Sequence, residues 1–251
     1  MSDTVERFSN RVENYVKYRP SYPKEILVLF RDEMNLQKDS IFADIGSGTG
    51  ISSKLFLENG NTVFGVEPNK TMREAAQEFL KEFPKFQSID GTAENTNLPD
   101  ISVDFVIAAQ AFHWFDWEKT RVEFTRILRK NGFVALIWNE RELDTNDFLR
   151  EYENFLKKYG TDYEKVRHDQ LDEKKLGDFF QKDFSVKTFQ NSQTLDFAGL
   201  KGRMLSSSYM PSETDSRFEP MAIELQRLFD KYSESGKIQL LYQTNIFYTR
   251  F

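Results

Sequence analysis

Apolar residues in the first half of the chain form short continuous runs that alternate with helically spaced apolar positions. Continuous runs bounded by polar residues or glycine predict buried strands, and a spacing of three or four residues predicts helices. Strands are predicted over 41–45, 62–67, 86–89, 103–109 and 133–138, and helices over 24–34, 51–59, 70–83 and 116–129. This alternation predicts an α/β fold, with a mostly parallel sheet and helices on both of its faces.

The pattern changes after Asn139, where charged residues become frequent and the apolar spacing weakens. Helices are predicted over 144–158, 170–180, 199–207 and 213–233, and strands over 184–195 and 237–250. Residues 139–184 have the weakest pattern, and we interpret them as a helical cap insertion. The last strand alternates clearly, with Ile238, Leu240 and Tyr242 on one face.

A glycine loop joins the first predicted strand to the next helix, with the spacing Asp44-x-Gly46-x-Gly48-x-Gly50. Glycines let the backbone turn tightly and approach a ligand closely. The helix that follows presents free N–H groups and a partial positive charge at its start. Such a loop can hold a pyrophosphate or the amino-acid tail of S-adenosylmethionine, or it can be a strand–helix turn without a ligand.

The spacing of the glycines distinguishes between a pyrophosphate and the amino-acid tail of S-adenosylmethionine. A nicotinamide dinucleotide loop has the form Gly-x-Gly-x-x-Gly, whereas here the third glycine comes one residue early and Ile51 takes the dinucleotide position. The Asp44 carboxylate would repel a pyrophosphate but can receive an ammonium group. A zwitterionic ligand is therefore favoured over a dinucleotide. Glu67, at the end of the second strand, is placed to accept the two ribose hydroxyls; the alternative is a solvated acid at a strand end.

The amino-acid composition further limits the classes of partner and ligand that we expect. The 251 residues carry a net charge of −6 and no cysteine. Nucleic-acid binding relies on clustered Lys and Arg, so we expect no nucleic-acid partner. Without cysteine, and with two separated histidines and no grouped carboxylates, we expect no metal site. The polar N-terminus and the lack of a long apolar run predict neither a signal peptide nor a membrane span, and hence a cytoplasmic protein.

Four segments together resemble the successive motifs of class I S-adenosylmethionine-dependent methyltransferases. They are Asp44-Ile-Gly-Ser-Gly-Thr-Gly50, Val66-Glu67-Pro68-Asn69, Gly91-Thr-Ala-Glu94 and Asp104-Phe-Val-Ile-Ala108. More narrowly, Tyr18-Arg-Pro-Ser-Tyr-Pro23 and Ala109-Gln-Ala-Phe-His-Trp-Phe-Asp116 resemble the methyltransferase type 11 group related to trans-aconitate methyltransferases. The matching segments lie within about residues 10–140.

The resemblance implies a Rossmann-like sheet of seven strands whose last strand is antiparallel, a place that residues 237–250 fit. It implies one domain in four parts: an N-terminal lid segment (1–23), a cofactor-binding core (24–138), a helical cap insertion (139–184) and C-terminal strands and helices that complete the sheet (185–251). It also implies S-adenosylmethionine as the cofactor and S-adenosylhomocysteine as the product.

Together with the loop analysis, the resemblance predicts cofactor contacts from the N-terminal segment, the glycine loop and the ends of three later segments. These residues are Tyr15, Tyr18, Arg19, Asp44, Gly46, Ser47, Gly48, Gly50, Glu67, Pro68, Met72, Thr92, Ala93, Glu94, Ala109, Gln110 and Ala111. For the N-terminal residues the alternative is that Tyr18 packs against the sheet and Arg19 is solvated. For Met72 the alternative is a place in the core.

Methyl transfer is an in-line displacement, so the protein mainly aligns the acceptor and excludes water. The segment after the fourth strand lies where ligands bind in α/β sheets. His113 is a candidate general base for a hydroxyl acceptor, and the alternative is a structural histidine that holds the loop. The predicted acceptor contacts are Phe112, His113, Trp114, Arg203 and Tyr209.

We therefore predict a methyltransferase that acts on a small molecule, by O-methylation and with a carboxylic acid as a candidate acceptor. The segment Ala109-Gln-Ala-Phe112 lacks the Asn/Asp-Pro-Pro-aromatic motif of enzymes that methylate adenine N6 or glutamine amides, which disfavours those acceptors. The alternative is a non-catalytic S-adenosylmethionine-binding or interaction protein. A nicotinamide oxidoreductase is disfavoured by the glycine spacing. The sequence leaves the oligomeric state open.

Overall fold

The computed structural model describes residues 12–161, 163 and 173–251. The beginning of the predicted lid segment, the start of the helix predicted over 170–180 and His168 lie outside the described residues.

A single mixed sheet runs through the molecule, and it confirms the predicted α/β architecture. Its strands are β1 (Ile41–Ile45), β2 (Thr62–Val66), β3 (Phe86–Ile89), β4 (Val103–Ala109), β5 (Leu128–Arg141), β6 (Ser185–Leu195) and β7 (Ile238–Arg250). The seven strands lie in the order β3-β2-β1-β4-β5-β7-β6. β1 to β5 pair in parallel, and β7 is antiparallel to both β5 and β6. The expected seven strands and antiparallel last strand are both present.

The described helices lie within or close to the predicted ranges, except α1, where the sequence analysis predicts no helix. They are α1 (Val12–Tyr18), α2 (Glu25–Met34), α3 (Ile51–Glu58), α4 (Lys70–Phe79), α5 (Trp117–Ile127), α6 (Asp147–Tyr159), α7 (Glu173–Phe180), α8 (Phe197–Leu205) and α9 (Phe218–Tyr232), with one 3-10 turn at Phe112–Trp114. The fifth strand is longer than predicted, because β7 pairs with it without interruption from Phe133 to Arg141. Polar residues at the end of β5 thus continue the sheet instead of starting a loop.

Helices cover both faces of the sheet and create two cores. On one face Phe42 stacks against Phe105 with the ring centroids 4.7 Å apart, and against Phe56 at 4.2 Å. On the other face the core contains Phe112, Trp138 and Phe179. Two-sided burial explains why the central strands are continuous apolar runs and not alternating ones.

The region predicted as a helical cap insertion, 139–184, contributes to two different cores. A third core joins α6 to α8, α9 and the first half of β7, through residues such as Phe155, Leu200 and Leu225. We refer to α6, α8, α9 and the loop between α8 and α9 as the cap. Helix α7, by contrast, places Phe179 in the core beneath the sheet. The weak apolar pattern of this region arises because its helices bury their faces against segments that are distant in sequence.

We predict that Phe42→Ala lowers the free energy of unfolding by about 3–5 kcal/mol, because it removes a fully buried ring from a stacked cluster and leaves a cavity. Urea unfolding followed by circular dichroism measures the change. Val122→Ala is the control, since Val122 is 72% exposed and its truncation should change stability by no more than about 0.5 kcal/mol. Equal losses in the two variants would contradict this description of the core.

Candidate cofactor and acceptor site

A cavity of about 950 Å³ opens above the carboxyl ends of β1, β4 and β5. The glycine loop forms one end, with Gly46, Ser47 and Gly48 in its wall. The opposite end is formed by the cap, with Arg203 and Tyr209. A volume of this size suits a cofactor tail together with a small second ligand.

The glycine loop follows β1 and passes close to the segment that follows β4. Gly46 has φ 68°, and a Cβ atom on it would lie 2.6 Å from the Cβ of Ala111. Gly48 has φ 54°, and a Cβ atom there would meet no atom within 4 Å. Gly46 is therefore required by the close approach of two loops, whereas Gly48 leaves open space on the cavity side. Gly50 precedes α3 at its N-terminus.

Asp44 lies fully buried beneath this loop. The hydroxyls of Ser52 and Ser53 both donate to its Oδ2 at 2.6 Å. Its Oδ1 is buried and has no hydrogen-bond partner among the described residues. Burial raises the pKa of Asp44 from 3.8 to about 6, and the two serine hydroxyls oppose that shift. An unsatisfied carboxylate oxygen in this position fits the ammonium group of a methionine moiety.

Glu67 is fixed beside the same loop, at the end of β2. Its Oε2 accepts the backbone N–H of Gly48 at 3.0 Å, and its Oε1 accepts that of Asn69 at 2.9 Å. Burial raises the pKa of Glu67, and the two backbone hydrogen bonds oppose the shift. The carboxylate lies outside the wall of the cavity, on the side of the glycine loop towards β3.

The residues predicted around the adenosine also lie outside the cavity wall. Met72 is buried in α4, and the Pro68 carbonyl accepts a hydrogen bond from an arginine side chain. Thr92 Oγ1 accepts the backbone N–H of Asn95, Ala93 is buried, and Glu94 accepts the backbone N–H of Asp116. Their contact with adenosine stays a prediction.

The segment after β4 supplies one wall of the cavity, through Ala109, Gln110, His113 and Trp114. Gln110 has φ 59°, and its side-chain Nε2 donates to the backbone oxygen of Asn139 at 2.9 Å. A non-glycine residue held in the left-handed region is a strained feature that is common at functional sites. The base role of His113 stays a prediction.

The prediction that Phe112 contacts the acceptor is wrong. Its ring is fully buried and stacks on Trp117, with the centroids 5.4 Å apart. The 3-10 turn directs Phe112 into the core and leaves His113 and Trp114 facing the cavity. Phe112 therefore supports the wall from behind.

Two arginines, Arg19 and Arg203, meet at the cap end of the cavity. Arg19 donates to the backbone oxygen of Ser206 at 3.0 Å, and Arg203 donates to Ser207 Oγ at 3.1 Å and Tyr242 OH at 3.3 Å. Burial lowers the pKa of Arg19, and the nearby Arg203 guanidinium lowers it further. Among the described residues, neither arginine forms an ion pair with a carboxylate. Two guanidinium groups thus line the same cavity close to each other.

The cap wall contains residues that the sequence analysis missed, including Tyr163, Tyr242 and Arg141. Arg141 and the Tyr163 hydroxyl both bond to the Glu153 carboxylate, which fixes α6 to the end of β5. Tyr242 belongs to the inward-facing positions of the last strand, and a hydroxyl at such a position is the one signal that could have marked it.

The two predicted tyrosines of the N-terminal segment have different surroundings. Tyr15 lines the cavity, and the Arg19 guanidinium lies over its ring at 4.7 Å. The Tyr18 ring instead packs against Gly202 of α8 and is absent from the cavity wall.

The described residues contain no group of acidic or histidine side chains that could hold a metal ion. They also contain no helix that is long and apolar enough to cross a membrane.

Residues 43–136 match the family described as a methyltransferase domain. The chain is 28% identical over 247 residues to an uncharacterised methyltransferase-like protein of Schizosaccharomyces pombe, covering 97% of this chain and 94% of that protein. It is 36% identical over 135 residues to an uncharacterised methyltransferase of Mycobacterium bovis, covering 54% of this chain and 53% of the relative. The latter match therefore spans about half of each protein.

The fold is similar to that of a candidate type II methyltransferase from Anaeromyxobacter dehalogenans, with a TM-score of 0.65, 20% identity and coverage of 93% of this chain and 98% of that one. Residues 43–136 thus match a methyltransferase domain, and the fold of the chain is similar to that of methyltransferases of known structure.

The raised pKa of Asp44 leads to a prediction about how the free energy of unfolding depends on pH. Because the folded pKa of about 6 exceeds the ordinary 3.8, the buried charge opposes folding, and this cost develops as the pH rises from about 4 to about 6. Asp44→Asn should therefore match the wild type near pH 4 and exceed its free energy of unfolding by up to about 3 kcal/mol at pH 7.5. Urea unfolding at several pH values measures this; a variant less stable than wild type at pH 7.5 would contradict it.

Proposed function

We propose that this methyltransferase transfers the methyl group to an oxygen of a small carboxylic acid. The observation that carries the proposal is the pair formed by Arg19 and Arg203, which line the cavity and have no carboxylate partner among the described residues. Buried guanidinium groups are normally balanced by an anion, and arginine is well suited to bind a carboxylate through two hydrogen bonds. Arg203 is the residue to which we assign the acceptor.

The cofactor tail fits the opposite end of the cavity. The unpaired Oδ1 of Asp44 and the open space at Gly48 match the ammonium and the backbone of a methionine moiety. Glu67 and the segment 92–94 would hold the ribose and the adenine. When bound, the cofactor supplies a methyl group on a positively charged sulfur. Arg19 lines the same cavity as the glycine loop and Arg203, so it is available to either carboxylate, that of the cofactor or that of the acceptor.

The residues of the chain orient the acceptor and exclude water. Trp114 and Tyr209 both lie in the cavity wall, and aromatic side chains there restrict both the acceptor and the solvent. A carboxylate oxygen is already nucleophilic, so this acceptor needs no proton removed. His113 would then hold the loop after β4; it would act as the general base only for a hydroxyl acceptor.

The narrower resemblance of the chain to trans-aconitate methyltransferases agrees with this assignment. It rests on the segments 18–23 and 109–116, which contribute Arg19, His113 and Trp114 to the same cavity. We therefore include trans-aconitate among the acceptors to be tested. The alternative function, binding of S-adenosylmethionine without methyl transfer, has no specific support in the site, because the acceptor end of the cavity is built from charged and aromatic side chains.

The assignment of the cofactor end predicts that Asp44→Asn and Glu67→Gln each weaken the binding of S-adenosylhomocysteine by about 10-fold to 100-fold, since each removes a hydrogen bond to a charged group. Isothermal titration measures the affinity. Wild-type affinity should also fall as the pH decreases through about 6, where Asp44 takes up a proton, and this dependence should be absent in Asp44→Asn.

Glu58→Gln is the matched control, because Glu58 is an exposed acid at the far end of the helix that follows the glycine loop. It should bind like the wild type. Normal affinity in both Asp44→Asn and Glu67→Gln would overturn the placement of the cofactor.

The acceptor assignment predicts that S-adenosylhomocysteine is released with acids in preference to phenols or amines. A panel of trans-aconitate, citrate, succinate, benzoate, phenol and a primary amine, with coupled detection of S-adenosylhomocysteine, tests this. With the acid that is turned over, Arg203→Ala should lower kcat/KM by about 10-fold to 100-fold, mainly through KM, because a charge-assisted hydrogen bond is lost.

Arg217→Ala is the control, since Arg217 is exposed and paired with Asp215 away from the cavity. Turnover of phenol or the amine, with none of the acids, would refute the carboxylate proposal. If the protein binds the cofactor but none of the tested acceptors leads to release of S-adenosylhomocysteine, the non-catalytic alternative is favoured.

A further inference from the structure

Helix α1 and the residues that follow it, 12–22, form a segment that we call the N-terminal strap. It crosses from α8 to the sheet edge and contributes Tyr15, Arg19 and Tyr22 to the cavity wall. Arg19 lies on this strap, whereas Arg203 lies on α8. The proximity of the two guanidinium groups therefore depends on how the strap is fixed to the rest of the protein.

A notch in α8 receives the strap. Gly202 is buried in the middle of this helix, and a Cβ atom on it would lie 2.1 Å from Cε2 and 2.2 Å from Cδ2 of Tyr18. Any side chain at position 202 would therefore displace the Tyr18 ring. Glycine is unfavourable inside a helix, so helix formation does not account for it. The neighbouring residue Arg203 is the one that meets Arg19.

Side-chain amides from the sheet fix the other end of the strap. Gln193 Nε2 donates to the backbone oxygen of Tyr18 at 2.8 Å. Asn191 and Asn139 both donate from Nδ2 to the backbone oxygen of Ser21, at 2.8 Å and 3.2 Å. Asn191 and Gln193 are two residues apart on β6, so their side chains share one face of the sheet.

These contacts hold the chain immediately before Arg19, at Tyr18, and shortly after it, at Ser21. Tyr18 is fixed in the notch and by Gln193, and Ser21 by the two asparagines, so the backbone of the intervening residues is set. The amide donors on β5 and β6 bind main-chain oxygens of the strap. They therefore fix its backbone independently of the side chains that the strap carries. None of the three amides touches the guanidinium of Arg19 directly.

We propose that Gly202, Asn139, Asn191 and Gln193 are positioning residues that form a seat for the N-terminal strap and thereby hold Arg19 beside Arg203. The seat completes the anion end of the cavity from two segments that are far apart in sequence. This proposal rests on the proposed function only for the identity of the anion; the seating of the strap stands on the contacts above.

The test compares Gly202→Ala with Gly177→Ala. Both replace a helical glycine by a better helix former, but a Cβ atom on Gly177 would meet nothing within 4 Å. Trypsin cleavage after Lys17, an exposed residue in α1, reports release of the strap without any ligand. Gly202→Ala should be cleaved there several-fold faster than wild type with no loss of melting temperature, and Gly177→Ala at the wild-type rate.

Gln193→Ala is the second variant, with Gln190→Ala, on the opposite face of β6, as its control. Gln193→Ala should also speed the cleavage after Lys17, and Gln190→Ala should not. If both Gly202→Ala and Gln193→Ala are cleaved at the wild-type rate, the seat is refuted.

Binding of trans-aconitate to protein saturated with S-adenosylhomocysteine tests the link to Arg19. Gly202→Ala should weaken this binding about ten-fold, equivalent to about 1.4 kcal/mol. In an Arg19→Ala background the same substitution should cause no further loss, because the seat acts through Arg19. An equal loss in both backgrounds would overturn the positioning role. A wild type that binds no trans-aconitate would count against the proposed acceptor class, and the cleavage rates would still decide whether the seat exists.

Discussion

The site depends on the crevice between β1 and β4, where the order of the strands reverses. From β1 the chain moves outward to β2 and β3, and it then crosses back to β4 on the other side of β1. The loops that leave β1 and β4 therefore diverge, and ligands in open α/β sheets bind in the crevice between such loops. Here the two loops still touch, since a Cβ atom on Gly46 would collide with Ala111. A side chain larger than hydrogen at Gly46 would force them apart.

Burial of Asp44 is the cost of that arrangement. The carboxylate lies beneath the loop with one oxygen bound to two serine hydroxyls and the other unpaired among the described residues. A charge left in this state lowers the stability of the free protein and increases its affinity for a cation. The same reasoning applies with opposite sign to Arg19 and Arg203 at the other end of the cavity. Arg19 and Arg203 line the cavity, whereas Asp44 lies buried beneath the glycine loop at the other end.

The cofactor half of the protein could be predicted because its elements are local. Each strand, its glycine or acidic residue and the next helix are consecutive in sequence, so the pattern of apolar residues and the spacing of Asp44, Gly46 and Gly48 indicate both the fold and the ligand. The prediction that Phe112 contacts the acceptor failed for a related reason. The sequence located its segment at the carboxyl end of β4, but it did not show which side chains of a single 3-10 turn face the core.

The cap side of the cavity could be predicted only in part: the sequence analysis names Arg203 and Tyr209, but the way in which such residues come together depends on tertiary contacts. Arg19, Arg203 and Tyr242 lie on the N-terminal strap, on α8 and on the last strand, and no spacing in the sequence relates them. Gly202 in particular has no sequence signal, since only the Tyr18 ring packed against it explains the absence of a side chain. The sequence by itself therefore determined the α/β fold and the cofactor. The tertiary structure decided which charges face the cavity, because long-range packing alone brings the strap, the cap and the sheet edge together.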